Sequence, residues 1–598
     1  MYLSRIVVEN FRNFLHLDAP LEGSVVIVGE NRVGKSNLLY GLRLIFDPTL
    51  SDSARQLSLS DFWDGLDKPA KTDIVRVSVE ICDFEDDLDI LAILTDFRLD
   101  DDAETVRLTY EFRPREDLEG EPTKEDDYEF ICYGGENESK RFGHDLRRRI
   151  PMDLFPALRD AEGDLATWRR SPLRPLIEDA FSGIDPRQLE DIADSIEEAT
   201  MQLGDFPSVK SLEEDIGTLF AEMSGPCQDI KPRMGFGSPD VVRLYRNIRL
   251  LIDEGIRSIN DASLGSANII FLTLKALEFK RLMDENRRDH TLLAIEEPEA
   301  HLHPHLQRSV YRHLFETMTG DDGEVPVSMI LTTHSPHIAS VAPLGSILLL
   351  KDTKEAGAVG CSTAGISLTD DEFDDLTRYL DVTRAEMLFA RGIILVEGDA
   401  ERFLVPVYAK TIGNPLDHLG ITVCSVAGTN FQPYAKFLTA LGIPFSIITD
   451  WDPIEGKSAL GINRSLDLVE AIEKTLSGKQ PVELIKELGA ISDRNEFAER
   501  CEEFGIFTNY HTLEVDLFEY GPRDEIIETL KEYGFGPKRQ ARIEAWELDP
   551  ATMNTKQYLA MIEAIGKGRF AQRLASRLID SVPLNYIKNA IDFVADRV

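Results

Sequence analysis

Apolar positions along the first part of the chain fall in short runs between polar turns, which is the strand pattern. Residues 3–8 and 24–28 read as strands joined through Phe11-Arg12-Asn13-Phe14, and Leu38, Leu39, Leu42, Leu44 and Ile45 then recur at helical spacing. Ile74 to Cys82 alternates through Val75, Val77, Val79 and Ile81, Val106 to Phe112 alternates likewise, and Tyr128 to Tyr133 adds one more strand. This predicts a β-rich, antiparallel region. From Pro172 to Leu219 the period becomes helical on an acidic background, with Leu176, Ile177, Phe181, Leu189, Ile192, Ile196, Leu212, Ile216 and Leu219. An inserted helical hairpin or bundle is the simple reading, and its apolar face suits dimerisation. Met234 to Tyr245 returns to the core, Val241 to Ser258 reads as a long helix, and Ile269 to Leu282 as an apolar one. Buried strands follow at Leu292 to Ile295, Met329 to Leu331 and Ser346 to Lys351, then a polar, acidic linker from Asp352 to Asp375. Beyond it, Arg391 to Val396, a strand and turn around Ser425 to Asn430, and Pro444 to Thr449 continue the strand pattern.

The first chemistry sits between a strand and a helix. Gly29-Glu30-Asn31-Arg32-Val33-Gly34-Lys35-Ser36 reads G-x-x-x-x-G-K-S, a loop whose backbone N–H groups surround phosphates at a helix N-terminus. Lys35 reaches the β- and γ-phosphates and Ser36 holds Mg²⁺. Asn31, Gly34, Lys35, Ser36 and Asn37 are therefore the expected ATP contacts in this stretch. Ser263-Leu264-Gly265-Ser266 opens the apolar helix, and such a start can take a γ-phosphate through Ser263, Gly265 and Ser266. Leu292 to Ile295 ends in Glu296-Glu297-Pro298-Glu299. In that position the first carboxylate, Glu296, supports Mg²⁺, and the second, Glu297, polarises the attacking water. Thr333-His334-Ser335-Pro336 ends another strand and offers His334 to the γ-phosphate. His301, His303 and His305 have a spacing that invites a metal, but without cysteine or further histidine nearby they are assigned to a loop beside the ATP site.

A second centre lies downstream. Glu397 stands at the tip of an apolar strand before a glycine turn, and Asp450-Trp451-Asp452 ends a later strand. Carboxylates at strand C-termini belong where sites form in a doubly wound sheet. In an extended segment Asp450 and Asp452 face the same way, so both can approach a divalent cation, and all-oxygen ligands suit Mg²⁺ or Mn²⁺.

Composition narrows the context. The net charge of −41 over 598 residues argues against a general nucleic-acid surface, leaving DNA to local basic groups such as Arg147-Arg148-Arg149 and Lys538-Arg539 with Arg542, or to metal-filled acidic sites. The six scattered cysteines contain no C-x-x-C pair, which predicts free thiols in a reducing compartment. With no signal segment and no apolar run long enough for a bilayer, the expectation is a cytoplasmic protein with no membrane.

The P-loop, Ser263 to Ala267, Glu296 to Pro304 and Thr333 to Pro336 together resemble the ABC-type ATPase heads of the SMC/RecF/Rad50 class. That resemblance implies two heads meeting around ATP, the serine-glycine helix of one completing the site of the other, and hence a homodimer or higher homo-oligomer. Glu296 departs from the usual Asp, and no long coiled-coil insertion is present. Glu397 with Asp450-x-Asp452 resembles the Toprim domain, which implies Glu401 as a further carboxylate. The combination resembles the OLD family (overcoming lysogenisation defect) of ATP-dependent nucleases, which includes the nuclease component of Gabija anti-phage systems. It implies Glu514 as another metal ligand, Lys567 at the scissile phosphate and Arg569 on the DNA backbone. The expected fold is α/β: an ABC-type P-loop ATPase head with an inserted helical dimerisation region, then a C-terminal Toprim domain. Its divisions fall at residues 1–170 and 236–375 for the two parts of the ATPase, 171–235 for the insertion and 376–598 for the Toprim domain. The expected activity is ATP-dependent, two-metal DNA endonuclease chemistry in phage defence or repair. Glu397, Lys567 and Glu297 would be catalytic, and Glu397, Glu401, Asp450, Asp452 and Glu514 would hold Mg²⁺, with Mn²⁺ or Ca²⁺ as substitutes. DNA and a helicase are the implied partners. The alternatives are an ATP-dependent DNA-binding sensor and a RecF-like repair protein with a non-cleaving Toprim domain.

Overall fold

A computed structural model describes residues 1–85, 87–157, 161–168, 170–224, 248, 250–259, 262–285, 287–300, 302–318, 327–353, 356–380, 382–454, 458–578 and 581–598. His301, the segment Met234 to Tyr245 and much of the helix expected from Val241 lie outside the described residues. The chain forms two compact units: Met1–Phe155 with Asp289–Glu299 and Pro304–Val598, and Pro156–Arg288 with Ala300–His303.

In the first unit the strands of the amino-terminal region are β1 (Tyr2–Phe11), β2 (Phe14–Pro20), β3 (Val25–Gly29), β4 (Val75–Cys82), β5 (Val106–Pro114), β6 (Tyr128–Gly134) and β7 (Met152–Phe155). In the second unit β8 (Leu251–Ile252) and β9 (Arg257–Ser258) pair as a small antiparallel hairpin. This corrects the long helix expected over Val241 to Ser258. Asp253, Glu254 and Gly255 all take positive φ, which turns the chain back and cannot propagate a right-handed helix. The same unit holds the helices Leu173–Ser182, Pro186–Met201, Pro207–Ser224 and Leu264–Asp284, so the helical periodicity after Pro172 is realised. Pro186 opens its helix behind Asp185, whose side chain accepts from the Arg187 N–H, a capped start. The apolar positions Ile192, Ile196, Leu212, Ile216 and Leu219 stay exposed in the single chain.

The first unit continues with β10 (Thr291–Glu296), β11 (Val327–Thr332), β12 (Ile347–Thr353) and β13 (Gly357–Ser362). One eleven-stranded sheet runs β6-β5-β4-β1-β2-β13-β12-β3-β11-β10-β7. Strands β7, β10, β11, β3 and β12 are mutually parallel, and β6 through β13 continue them as antiparallel pairs. Parallel strands buried on both faces are continuous apolar runs, and alternating ones are half-exposed, which is why Val25–Gly29 and Val75–Cys82 read differently. The supposed linker after Asp352 is partly β13: Gly357 pairs with Phe14, and a Cβ at Gly357 would come within 2.3 Å of the Asn13 carbonyl oxygen. Its small, glycine-containing sequence lacks the apolar run of a buried strand, and it completes the sheet by backbone pairing.

The carboxy-terminal part of this unit has its own sheet of β14 (Gly392–Val396), β15 (Ile421–Ser425), β16 (Phe445–Thr449) and β17 (Ile506–Thr508), in the order β15-β14-β16-β17 and all parallel. The helix Asn585–Ala595 packs on it, and Gly392 leaves the room that a Cβ would take from Val594, 2.4 Å away. The chain is thus α/β, with an ATPase-like amino-terminal region and a Toprim-like carboxy-terminal one.

Candidate functional site

The nucleotide elements converge on one end of the parallel strands. Ile27 of β3 pairs with Thr332 of β11, which pairs with Glu296 of β10, so Gly29–Ser36, Glu296-Glu297 and His334 emerge side by side. Gly34 has φ +104, and a Cβ there would overlap the Asn13 side chain; only glycine fits. The helix Lys35–Phe46 starts directly after it, carrying Ser36 and Asn37 in its first turn. Asn31 lies in the loop between. Lys35 Nζ donates to the Gly29 and Glu30 carbonyl oxygens at 3.0 and 2.8 Å. Burial lowers its pKa, with Glu297 and Glu299 opposing. Glu297 adopts φ +41, a conformation that non-glycine residues rarely take, and its N–H donates to the Thr332 carbonyl. His334 Nε2 stands 3.7 Å from Glu297 Oε1. Glu299, which has no role assigned from its motif, accepts from the His334 N–H at 2.6 Å and from Thr333 Oγ1 at 2.8 Å; it fixes the strand end that presents His334. In the other unit, Ser263 caps the helix Leu264–Asp284 by accepting from the Ser266 N–H, with Gly265 buried and Ser266 exposed in its first turn.

The second site lies at the carboxyl ends of β14, β16 and β17, as expected for an open parallel sheet. Glu397 follows β14. Its Oε1 accepts from Thr449 Oγ1 at 2.6 Å, from the Asp450 N–H at 2.9 Å and from Arg464 at 3.1 Å. Glu401, one turn into the helix Asp399–Thr411, turns back so that its Oε2 accepts from the Gly398 N–H. Asp450 Oδ1 accepts from the Leu513 N–H at 3.2 Å and from Asn509 Nδ2, while Asn509 Oδ1 accepts from the Trp451 N–H at 2.7 Å. Burial and then the charges of Glu397, Glu401 and Glu514 push Asp450 up to about 8. Burial, followed by Glu514 and Glu397 against one backbone hydrogen bond, pushes Glu401 up to about 7. Glu514 is buried on the helix Leu513–Tyr520 rather than on a strand, and Lys567, first residue of the helix Lys567–Ala575, stands 3.2 Å from it. Burial pulls the Lys567 pKa down, but Glu514, Asp450 and Glu401 reverse that and leave it raised. Arg569, two residues further along this helix, is exposed. Gly568 lets this helix approach Asp399 to 3.0 Å from where a Cβ would lie.

Asp452 departs from the extended geometry expected of Asp-x-Asp. Its φ of +49 turns it out of line with Asp450, and its Oδ2 accepts from Arg464 at 3.0 Å. Arg464 and Asn509 are the residues that sequence reasoning missed. Neither lies in a recognisable motif; each is brought in by the sheet, Asn509 by β17 and Arg464 by the helix Leu460–Ser477. Among the described residues, no three His, Cys, Asp or Glu side chains stand at coordinating distance from one point. Yet the mutual repulsion that raises Asp450 and Glu401 is what a hard divalent cation would relieve, and the donors are all carboxylate oxygens. The set fits Mg²⁺ or Mn²⁺.

One ion pair joins the phosphate loop to the start of β14. Arg391, immediately before β14, donates to Glu30 Oε1 and Oε2 of the phosphate loop at 2.6 and 2.9 Å. The pair flanks a cleft of about 530 Å³ lined by Gly29 to Val33, Leu388 to Arg391 and Arg597.

Residues 1–151 and 173–339 match the family described as AAA ATPase domain, and residues 388–452 match "Overcoming lysogenization defect protein-like, TOPRIM domain". The chain is similar to Uncharacterized protein YbjD of Escherichia coli, with 26% identity over 78% of this chain and 82% of that one. It is similar to Endonuclease GajA of Bacillus cereus, with 24% identity over 78% and 79%. Among solved structures, the C-terminal region of the Burkholderia pseudomallei OLD protein shares 39% identity over 35% of this chain and 98% of that one, at a TM-score of 0.30.

Proposed function

The chain belongs to the OLD family of ATP-dependent nucleases, with AAA ATPase and Toprim domains, and from that premise we propose that it is a metal-dependent DNA endonuclease whose cut is controlled by ATP. The observation that carries this reading is the gathering of Glu397, Glu401, Asp450, Glu514 and Lys567 at the carboxyl edge of one parallel sheet, where the carboxyl groups repel one another. Glu397, Glu401, Asp450, Asp452 and Glu514 would hold Mg²⁺ or Mn²⁺, with Ca²⁺ as a substitute. Such ions supply a water nucleophile at neutral pH and neutralise the departing 3′ oxygen. Lys567, half-exposed and paired with Glu514 in this structure, turns to the scissile phosphate and stabilises its growing charge. Arg569 binds the neighbouring backbone. At the ATP site, Lys35 leaves the Gly29 and Glu30 carbonyls for the phosphates, Ser36 and Glu296 serve Mg²⁺, and Glu297 orients the water. Asn31, Gly34 and Asn37 shape the loop, and His334 reads the γ-phosphate. Ser263, Gly265 and Ser266 serve the site of a second copy, and the exposed Ile192, Ile196, Leu212, Ile216 and Leu219 supply a dimer contact. The domain divisions at 170, 235 and 375, a cytoplasmic location, a helicase partner and a role in phage defence or repair belong to the same proposal. A DNA-binding sensor without cleavage is favoured only by the lack of a ready coordination cluster among the described residues.

Lys567→Ala is expected to lower nicking by about 10²–10³-fold, the usual effect of deleting one charge stabiliser, while metal binding is kept. The nicks left by the wild type carry 5′-phosphate and 3′-hydroxyl ends, so DNA ligase reseals them; nicks that ligase cannot close contradict hydrolysis at this site. Arg391→Ala is expected to leave stability within about 0.5 kcal/mol, because exposed ion pairs contribute little, but to bring the ratio of cleavage with and without ATP toward unity. An unchanged ratio removes the Glu30–Arg391 contact from the control path.

A further inference from the structure

Arg464 places a permanent cation inside the acidic site. One terminal nitrogen, Nη1, donates to Glu397 Oε1 at 3.1 Å, Thr449 Oγ1 at 2.7 Å and the Asp450 carbonyl at 3.0 Å; the other, Nη2, donates to Asp452 Oδ2 at 3.0 Å. The Arg464 side chain is only 15% exposed, and Glu397 is 19% exposed. A guanidinium cannot discharge by losing a proton, so it can give up these oxygens only by moving. Its origin is held tightly. The Gly461 N–H donates to the Trp451 carbonyl at 3.0 Å, and the Leu460 N–H donates to the Asp452 carbonyl at 3.2 Å. A Cβ at Gly461 would stand 2.9 Å from the Trp451 carbonyl oxygen and 3.0 Å from that of Asp450. The first turn of Leu460–Ser477 is therefore pressed onto the Asp450–Asp452 segment, and the planar fork of Arg464 spans two carboxylates as a lysine could not.

Resting on the assignment of Glu397 and Asp452 as metal ligands, we propose that Arg464 is a built-in counter-ion of this carboxylate site: it bridges these two carboxylates in competition with a divalent cation, and so sets the metal concentration at which the site fills. Arg464 is a positioning residue here, acting through the ligands rather than on DNA.

The test is Mn²⁺ binding by calorimetry to the full-length chain without nucleotide, with Asp450→Ala as the reference for binding elsewhere. Arg464→Gln is expected to bind Mn²⁺ about tenfold more tightly than wild type, since a like charge has left the site, and to melt lower in EDTA but gain more on Mn²⁺ addition. Arg464→Lys, which keeps the charge but not the bidentate span, is expected to fall between. Mn²⁺ binding no tighter than wild type in either variant overturns the proposal, and Arg464→Lys decides it alone if the glutamine variant does not fold. If wild type binds Mn²⁺ no better than Asp450→Ala, the metal-site assignment itself is wrong.

Discussion

Asp450→Ala is expected to abolish metal-dependent nicking of supercoiled plasmid, with a loss of at least about 10²-fold, and to leave ATP binding intact. Asp450 is the carboxylate with the most strained electrostatics in the site, pushed up to about 8 by burial and by Glu397, Glu401 and Glu514. Burial and these neighbouring carboxylates disfavour its ionised form, which a bound cation would favour. Its Oδ1 is oriented by the Leu513 N–H and by Asn509, which marks a group positioned for a ligand. Removing it relieves repulsion while losing two hydrogen bonds, so the melting temperature in EDTA is expected to stay near that of wild type. Full cleavage by this variant would remove Asp450 from the site.

The second large effect is at the phosphate loop. Lys35→Ala is expected to weaken ATP binding by at least about 10²-fold, since it deletes the charge-assisted contact to the β- and γ-phosphates. In the structure Lys35 is 7% exposed and satisfied by the Gly29 and Glu30 carbonyl oxygens, so the alanine variant leaves a loop with two carbonyls lacking their cation. Titration with a fluorescent ATP analogue measures the loss. Metal-dependent cleavage without ATP is expected to survive, because the Toprim carboxylates lie on a separate sheet. Near-wild-type ATP affinity would displace Lys35 from its assigned role.

Much of the layout was legible because it is written in local patterns. Val25–Gly29 before the glycine loop, Leu292 to Ile295 before Glu296, and Gly392–Val396 before Glu397 are continuous apolar strands with chemistry at their tips; the first sheet brings the first two tips together, and the third stands on the second sheet. What failed to show was non-local. β13 (Gly357–Ser362) is built of small residues without an apolar run, and its role is backbone pairing with β12 and β2. The span Asp253–Gly255 lies within a helical apolar period and turns because of positive φ at three successive residues. Asp452 leaves the extended path that its spacing implied, drawn by Arg464 across 12 residues of chain. Glu514 lies on a helix rather than a strand. Arg464 and Asn509 have no motif, and Glu299 lies in one that assigns it no role, because their roles exist only after β16, β17 and β11 have been set beside their neighbours. A charge-pairing argument could have asked which arginine answers so many carboxylates, but not which one.

The most direct measurement is incubation of the purified wild-type chain with supercoiled plasmid in Mn²⁺, beside the same mixture in EDTA. The account predicts conversion to nicked and linear DNA in Mn²⁺ and none in EDTA. Plasmid that remains supercoiled in Mn²⁺, with and without ATP, while the protein still retains it in a gel-shift assay, would contradict it and leave a DNA-binding ATPase in its place.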